Sequence, residues 1–231
     1  MLDIRLNDDR GHANHGWLDT HYTFSFSDYY DPAHMGFRAL RVINEDKIAP
    51  GRGFGTHGHQ DMEILSYVLS GELAHKDSLG SGGVLKHEEL QFMSAGTGIR
   101  HSEANPSSEK TTHMLQIWLM PNKSGLDPKY EQKLFPITAQ PNKLHLIASR
   151  DGREGSFLIR SDAEMYAGKL LAGTQLRQQL AGRNGWIQVA AGEVAVNGQA
   201  LHAGDGIAIS DEDSVRIGAA SDAEILLFDL N

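Results

Sequence analysis

The stretch Gly51-Arg52-Gly53-Phe54-Gly55-Thr56-His57-Gly58-His59-Gln60-Asp61-Met62-Glu63 sets two histidines one residue apart behind a run of alternate glycines. On a β-strand successive side chains point to opposite faces, so His57 and His59 share a face, and the glycines let the backbone turn tightly beside them. A second stretch, Ser94-Ala95-Gly96-Thr97-Gly98-Ile99-Arg100-His101-Ser102-Glu103, repeats the device with a histidine and a carboxylate. Two such pairs on neighbouring strands converge four ligands on one point inside a barrel. Three imidazoles and a carboxylate leave one or two positions of a metal ion open, as a catalytic site requires. Glu63 competes with Glu103, because it has the same strand parity as His57 and points to the same face; spacing alone leaves both open.

Working outward, short runs rich in Val, Ile, Leu and aromatics alternate with scattered glycines, the grammar of an all-β sandwich or barrel. Strands are expected at Ala39 to Ile43, Glu63 to Leu69, Leu90 to Met93, His113 to Leu119, Ile207 to Ile209 and Ala223 to Leu230. The clearest hairpin flanks Gly192, between Trp186 to Val189 and Glu193 to Val196, and is followed by Asn197-Gly198, a pair suited to a type I′ turn. A few short helices complete the picture: Asp127 to Phe135 reads as one, capped by Asp127, with Pro128 in its first turn and Pro136 as its stop. The domain boundary is placed near it, giving domains 1–125 and 126–231.

Composition narrows the chemistry. At 231 residues, with 40% hydrophobic and 22% charged residues, the chain is long enough for two ordered domains. There is no cysteine, so disulfides, thiolate metal sites and cysteine nucleophiles are excluded, and any metal sits on nitrogen and oxygen. The formal net charge of −9 and the lack of a Lys/Arg cluster argue against direct nucleic-acid binding. No apolar run has the length of a membrane span and the first residues do not resemble a signal peptide, so a cytoplasmic protein without membrane attachment is expected.

The remaining histidines carry less. His12, His15, His21 and His34 lie in or beside the aromatic segment Trp17 to Tyr30 and are expected to cover the mouth of the site or to hydrogen-bond in the core. His75, His87, His113, His145 and His202 have no ligand-spaced neighbour. Trp17, Phe24, Phe26, Phe54 and Phe92 read as packing residues rather than a substrate platform. The glycines around Arg52 lack the Lys-Ser/Thr ending of a phosphate loop, and no G-x-S-x-G elbow is present.

The pattern Gly51-x5-His57-x-His59-x3-Glu63 resembles the first cupin motif, and Gly98-x2-His101-x3-Asn105 the end of the second. Gly71 closes the first motif one residue late, and Gly96 stands where the second has proline. More specifically, His15 to Asp46 (HGWLDTHYTFSFSDYYDPAHMGFRALRVINED) and Ser94 to Glu103 resemble the pirins, a bicupin family. The likeness is specific over the N-terminal half; the second half resembles a pirin C-terminal cupin by strand pattern. It implies two tandem jelly-roll barrels: a metal-binding cupin domain, 1–125, and a cupin domain without metal, 126–231. It also implies that His57, His59, His101 and Glu103 hold one divalent cation, Fe(II), with Mn, Co, Ni, Cu or Zn open to the same donors. Bacterial pirins are similar to quercetin 2,3-dioxygenases, so the resemblance implies a dioxygenase that opens a flavonol such as quercetin with O2 and CO release. Glu103 then serves as ligand and general base, and the partners are a flavonol-like aromatic and O2, with the chain a monomer. The same family leaves two alternatives: a non-enzymatic metal- or redox-sensing regulator, and a cupin oxygenase with another natural substrate.

Overall fold

The computed structural model describes every residue from Met1 to Asn231 except Ala181. The chain is built of strands and two 3-10 turns, Asn7–Asp9 and Arg153–Gly155, with no α-helix among the described residues. No helix there is long and apolar enough to cross a membrane. The strands up to the middle of the chain are β1 Leu2–Arg5, β2 Gly11–Asn14, β3 Leu18–Tyr22, β4 Leu40–Ile48, β5 Gly53–His59, β6 Glu63–Ser70, β7 Glu72–Asp77, β8 Gly82–Lys86, β9 Glu89–Ser94, β10 Ile99–Ala104, β11 Thr112–Leu119 and β12 Lys129–Leu134.

Two compact units divide the chain: Gly11–Gly36 with Leu40–Phe135, and Met1–Arg10 with Phe37–Ala39 and Pro136–Asn231. In the first, a seven-stranded sheet β12-β9-β6-β11-β4-β3-β2 and a four-stranded sheet β5-β10-β7-β8 are both antiparallel. Leu18, Ile48, Val68 and Met114 of the large sheet pack with Leu73 and Leu85 of the small one, so the two inner faces close on a shared core. In the second unit a seven-stranded and a four-stranded sheet do the same around Ile187, Val189, Val194, Val196, Ile217, Ile225 and Leu227.

Three sequence expectations change. The segment expected to be a helix at Asp127 to Phe135 is strand β12, paired antiparallel with β9. Its residues alternate, with Glu131 meeting Lys129 and Lys133 on one side and Tyr130 and Gln132 together on the other. An available sheet edge thus outweighs the capping signal of Asp127-Pro128. Because β12 belongs to the first sheet, the chain leaves that unit at Phe135 rather than at residue 125, and β1 pairs with Gly206–Ile209 in the second unit. The strands flanking Gly192 do not pair with each other: Asn184–Ala191 lies in the large sheet and Glu193–Val196 in the small one. The Asn197-Gly198 turn instead joins Glu193–Val196 to Gln199–His202, with φ of 47° and 87° as a type I′ turn needs.

One feature of the first sheet positions the site. Gln91, Ser66, Gln116 and Asn44 stand opposite one another across β9, β6, β11 and β4. All four are buried, a polar row on a face that packing alone would make apolar.

Candidate metal centre

The centre forms where β5 and β10 pair, with His101 directly opposite His57 and Ile99 opposite His59. The register shifts between His101 and Glu103, which brings Glu103 opposite Phe54. The two strands approach so closely that a Cβ on Gly53 would lie 2.2 Å from the Glu103 carbonyl oxygen, which is why glycine stands there.

Three imidazole nitrogens converge. His101 Nε2 lies 2.9 Å from His59 Nε2 and 3.1 Å from His57 Nε2. His57 Nδ1 donates to the Gly55 carbonyl at 2.8 Å, so its proton sits on Nδ1 and the Nε2 lone pair faces the cluster. Burial, then repulsion among the three rings, pushes His59 down to about 4; burial, His57 and His75 push His101 down to about 3. His59 and His101 are therefore neutral near pH 7, and the cluster turns more nitrogen lone pairs inward than it has protons to satisfy them. That donor set fits a divalent cation, which ligates neutral imidazole.

Glu103 is buried beside the cluster, and three neutral donors fix its carboxylate. Gln91 Nε2 and Ser66 Oγ donate to Oε1 at 2.7 and 3.1 Å, and Gln116 Nε2 donates to Oε2 at 2.9 Å. Three of the four residues of the polar row thus hold this side chain. Trp118 Nε1 donates to Gln116 Oε1 at 3.3 Å, which sets the direction of the Gln116 amide. Ligand atoms of His57, His59 and His101 lie within 4.8 Å of one another; a Glu103 oxygen falls in a second such set, with His75 and His101. Glu63 is in neither set; it begins β6, opposite Ser94 and Leu119.

A cavity of about 650 Å³ opens over His57 and His59. Trp17, Phe26, Phe54 and Trp118 line it, with His15 also in the wall, and Thr20, Asn44, Asp46 and Gln116 supply its polar surface. Burial lifts the Asp46 carboxyl to about 7, with the Thr20 hydroxyl opposing and Glu103 and Glu45 adding to the rise.

Several expectations are revised here. Trp17, Phe26 and Phe54 form cavity wall, whereas Phe24 and Phe92 are core. Of the upstream histidines only His15 reaches the cavity; His12 bonds Asp19 at 2.7 Å and stacks on His21, and His34 bonds Asp31 at 2.8 Å. His75, read as having no ligand-spaced neighbour, lies against His101 and bonds Asp77. The signal was there: His75-Lys76-Asp77 has the same i, i+2 spacing as the two motifs.

Residues 3–119 match the family model described as Pirin, and residues 146–230 match one described as Quercetinase C-terminal cupin domain. The chain belongs to the pirin family. The first match spans every member of the histidine cluster and the second falls within the C-terminal unit. Among pirin relatives, quercetin 2,3-dioxygenase of Escherichia coli K12 is 52% identical over 231 residues, covering 100% of this chain and 99% of its own. A pirin-like protein of Caulobacter vibrioides is 43% identical over 231 residues, with 99% of each chain covered. The crystal structure of the bacterial pirin YhhW from Escherichia coli in complex with nickel(II) matches with a TM-score of 0.95 and 52% identity, covering 100% of this chain and 99% of that one.

Proposed function

We propose that this pirin is a metal-dependent dioxygenase that opens the ring of a flavonol such as quercetin with O2 and releases carbon monoxide. The observation that carries the proposal is the convergence of three imidazole nitrogens beside an aromatic-walled cavity. The name of the Escherichia coli relative supports the substrate class, and the nickel(II) complex supports a metal in this kind of site.

His57, His59 and His101 would hold one ion, with Glu103 as the fourth donor. The nitrogen and oxygen set suits Fe(II), and Mn, Co, Ni, Cu or Zn by the same chemistry. When bound, the ion supplies Lewis acidity toward the flavonol 3-hydroxyl and an open position for O2. The chain's residues do the rest. Trp17, Phe26, Phe54 and Trp118 confine a flat ring system and exclude water around it. Thr20, Asn44 and Asp46 meet hydroxyl groups, and a carboxyl titrating near 7 both donates and accepts hydrogen bonds at neutral pH. Glu103 takes the proton of the 3-hydroxyl. A carboxylate has about four acceptor positions, and with three filled by Ser66, Gln91 and Gln116 the last lies on Oε2. Ligation and proton uptake therefore draw on the same lone pair, and Glu103 gives up one role as it takes the other. All these residues belong to one unit of one chain, so the reading requires no second copy.

The test is quercetin loss with O2 uptake and CO release, in protein purified anaerobically, for the parent and a His57→Ala/His101→Ala variant. Consumption of both substrates by the parent alone is expected. A metal-loaded parent that takes up no O2 with quercetin overturns the proposal.

A further inference from the structure

Two residues outside the ligand set bear on His101, its most buried histidine. Strand β7 pairs with β10 so that Asp77 lies opposite His101 and His75 opposite Glu103. The side chains of both His75 and Asp77 are wholly removed from solvent. A buried carboxylate is costly unless its lone pairs are met. Asp77 Oδ1 accepts the backbone N–H of Leu79 at 2.9 Å and of Ser81 at 3.0 Å. Those two amides belong to the turn after β7 and fix which oxygen faces which way. Oδ2 is left 3.1 Å from His75 Nε2, and a carboxylate oxygen there calls for an N–H.

Donors and acceptors then alternate inward from Asp77 to the cluster. With its proton on Nε2, a neutral His75 presents a bare Nδ1, which lies 3.4 Å from His101 Nδ1. Two bare nitrogens do not attract, so the His101 proton sits on Nδ1. His101 Nε2 is then bare, and it is the nitrogen that faces His57 and His59. Tyr130 of β12 stacks on the His75 ring with centroids 4.5 Å apart at 16°, which keeps both His75 nitrogens on line. We infer that Asp77 and His75 are positioning residues for the metal centre: two successive hydrogen bonds, each with a fixed donor, hold His101 in the one tautomer that can ligate an ion through Nε2. The inference rests on the reading of His101 as a ligand. It extends the common arrangement in which a carboxylate orients a metal-bound histidine, with a second imidazole set between the two.

Asp77→Asn in the full chain tests it, because the shape is kept while one donor is reversed. The Leu79 and Ser81 amides still demand an oxygen, so the new NH2 group faces His75 Nε2 and moves the His75 proton to Nδ1. That N–H opposes His101 Nδ1 and drives the His101 proton to Nε2, into the place of the ion. Ni(II) and Zn(II) affinities, measured by competition with a chromophoric chelator, are expected to fall roughly 10- to 100-fold. Long-range proton–nitrogen correlation spectra of the metal-free protein are expected to show both rings changing tautomer. A second pair of variants covers the case in which Asp77→Asn fails to fold. His75→Gln keeps a donor toward Asp77 and an acceptor toward His101 and is expected to stay within a few-fold of the parent, whereas His75→Phe keeps only the stack on Tyr130 and is expected to weaken binding as Asp77→Asn does. Parental affinity and unchanged tautomers in Asp77→Asn, or equal affinities in the two His75 variants, overturn the inference. A parent that binds neither ion overturns the ligand reading instead, and the tautomers of the metal-free protein then still decide the hydrogen-bond chain.

Discussion

Glu103 carries the most demands of any single residue. Its three donors are neutral side chains of the barrel interior, and they orient the carboxylate without removing its charge. Replacing it by Gln puts an NH2 group against at least one of those donors, an unmet pair that costs on the order of 1 to 3 kcal/mol of stability. Glu103→Gln is expected to keep most of its ion through the three histidines, while flavonol turnover falls by ~100-fold or more, as loss of a general base does. Ion content and kcat measured on the same preparation check this; full turnover would remove Glu103 from the base role.

Asp46 offers a prediction without any metal. Its folded-state pKa is raised from 3.8 to about 7, mainly by burial. The stability tied to its protonated form is therefore fully present below pH 3.8 and is lost as pH rises through 7. Between pH 5 and 8 that loss is about 2 to 3 kcal/mol by linkage. Asp46→Asn does not titrate, so its stability relative to the parent is expected to grow by roughly that amount over the same interval. Urea unfolding of metal-free protein at the two pH values measures it, and a constant difference would place Asp46 in a more polar setting than its burial implies.

At the scale of elements, the decisive contact is the pairing of β5 with β10. Gly53 lets the strands close beside Glu103, and a Cβ there would meet the Glu103 carbonyl oxygen and the Ala104 backbone at 2.2 and 2.4 Å. Neither neighbour is a flexible side-chain end that can swing away. Gly53→Ala is expected to cost roughly 2 to 4 kcal/mol and to weaken ion binding by spreading His57 and His59 from His101. Chemical denaturation and chelator competition read the two effects, and an unchanged ion affinity would show that the histidines do not depend on this approach.

This is also the scale at which the sequence was most and least legible. The i, i+2 spacing of His57/His59 and His101/Glu103 carried strand parity with it, and parity is local, so the pairs could be read. The polar row Gln91, Ser66, Gln116 and Asn44 could not, because it exists only once four strands are aligned in register. Strand β12 was misread because Asp127-Pro128 is a local helix signal, whereas the edge of β9 that captures the segment is distant in sequence. His75-Lys76-Asp77 lay between these cases, with readable spacing and a meaning that depends on β7 pairing with β10.

Over the whole molecule, the same jelly-roll plan serves two ends. The first unit interrupts its apolar interior with three histidines, a carboxylate and a row of amides and hydroxyls. The second packs a core of Val, Ile and Leu. After His145 the chain has only His202, an exposed side chain 3.7 Å from Asp205. Under the proposed function, a division of labour between the barrels follows from side-chain chemistry rather than from topology.

That division gives the account its most direct test: stepwise reconstitution of metal-free protein with Fe(II) under anaerobic conditions, with flavonol-dependent O2 uptake measured after each addition. Uptake should rise in proportion to added ion and stop rising at one equivalent per chain, and the His57→Ala/His101→Ala variant should show no such rise. A plateau at two equivalents, or a rise in the variant equal to the parent's, would contradict a single ion held by the histidines of the first barrel.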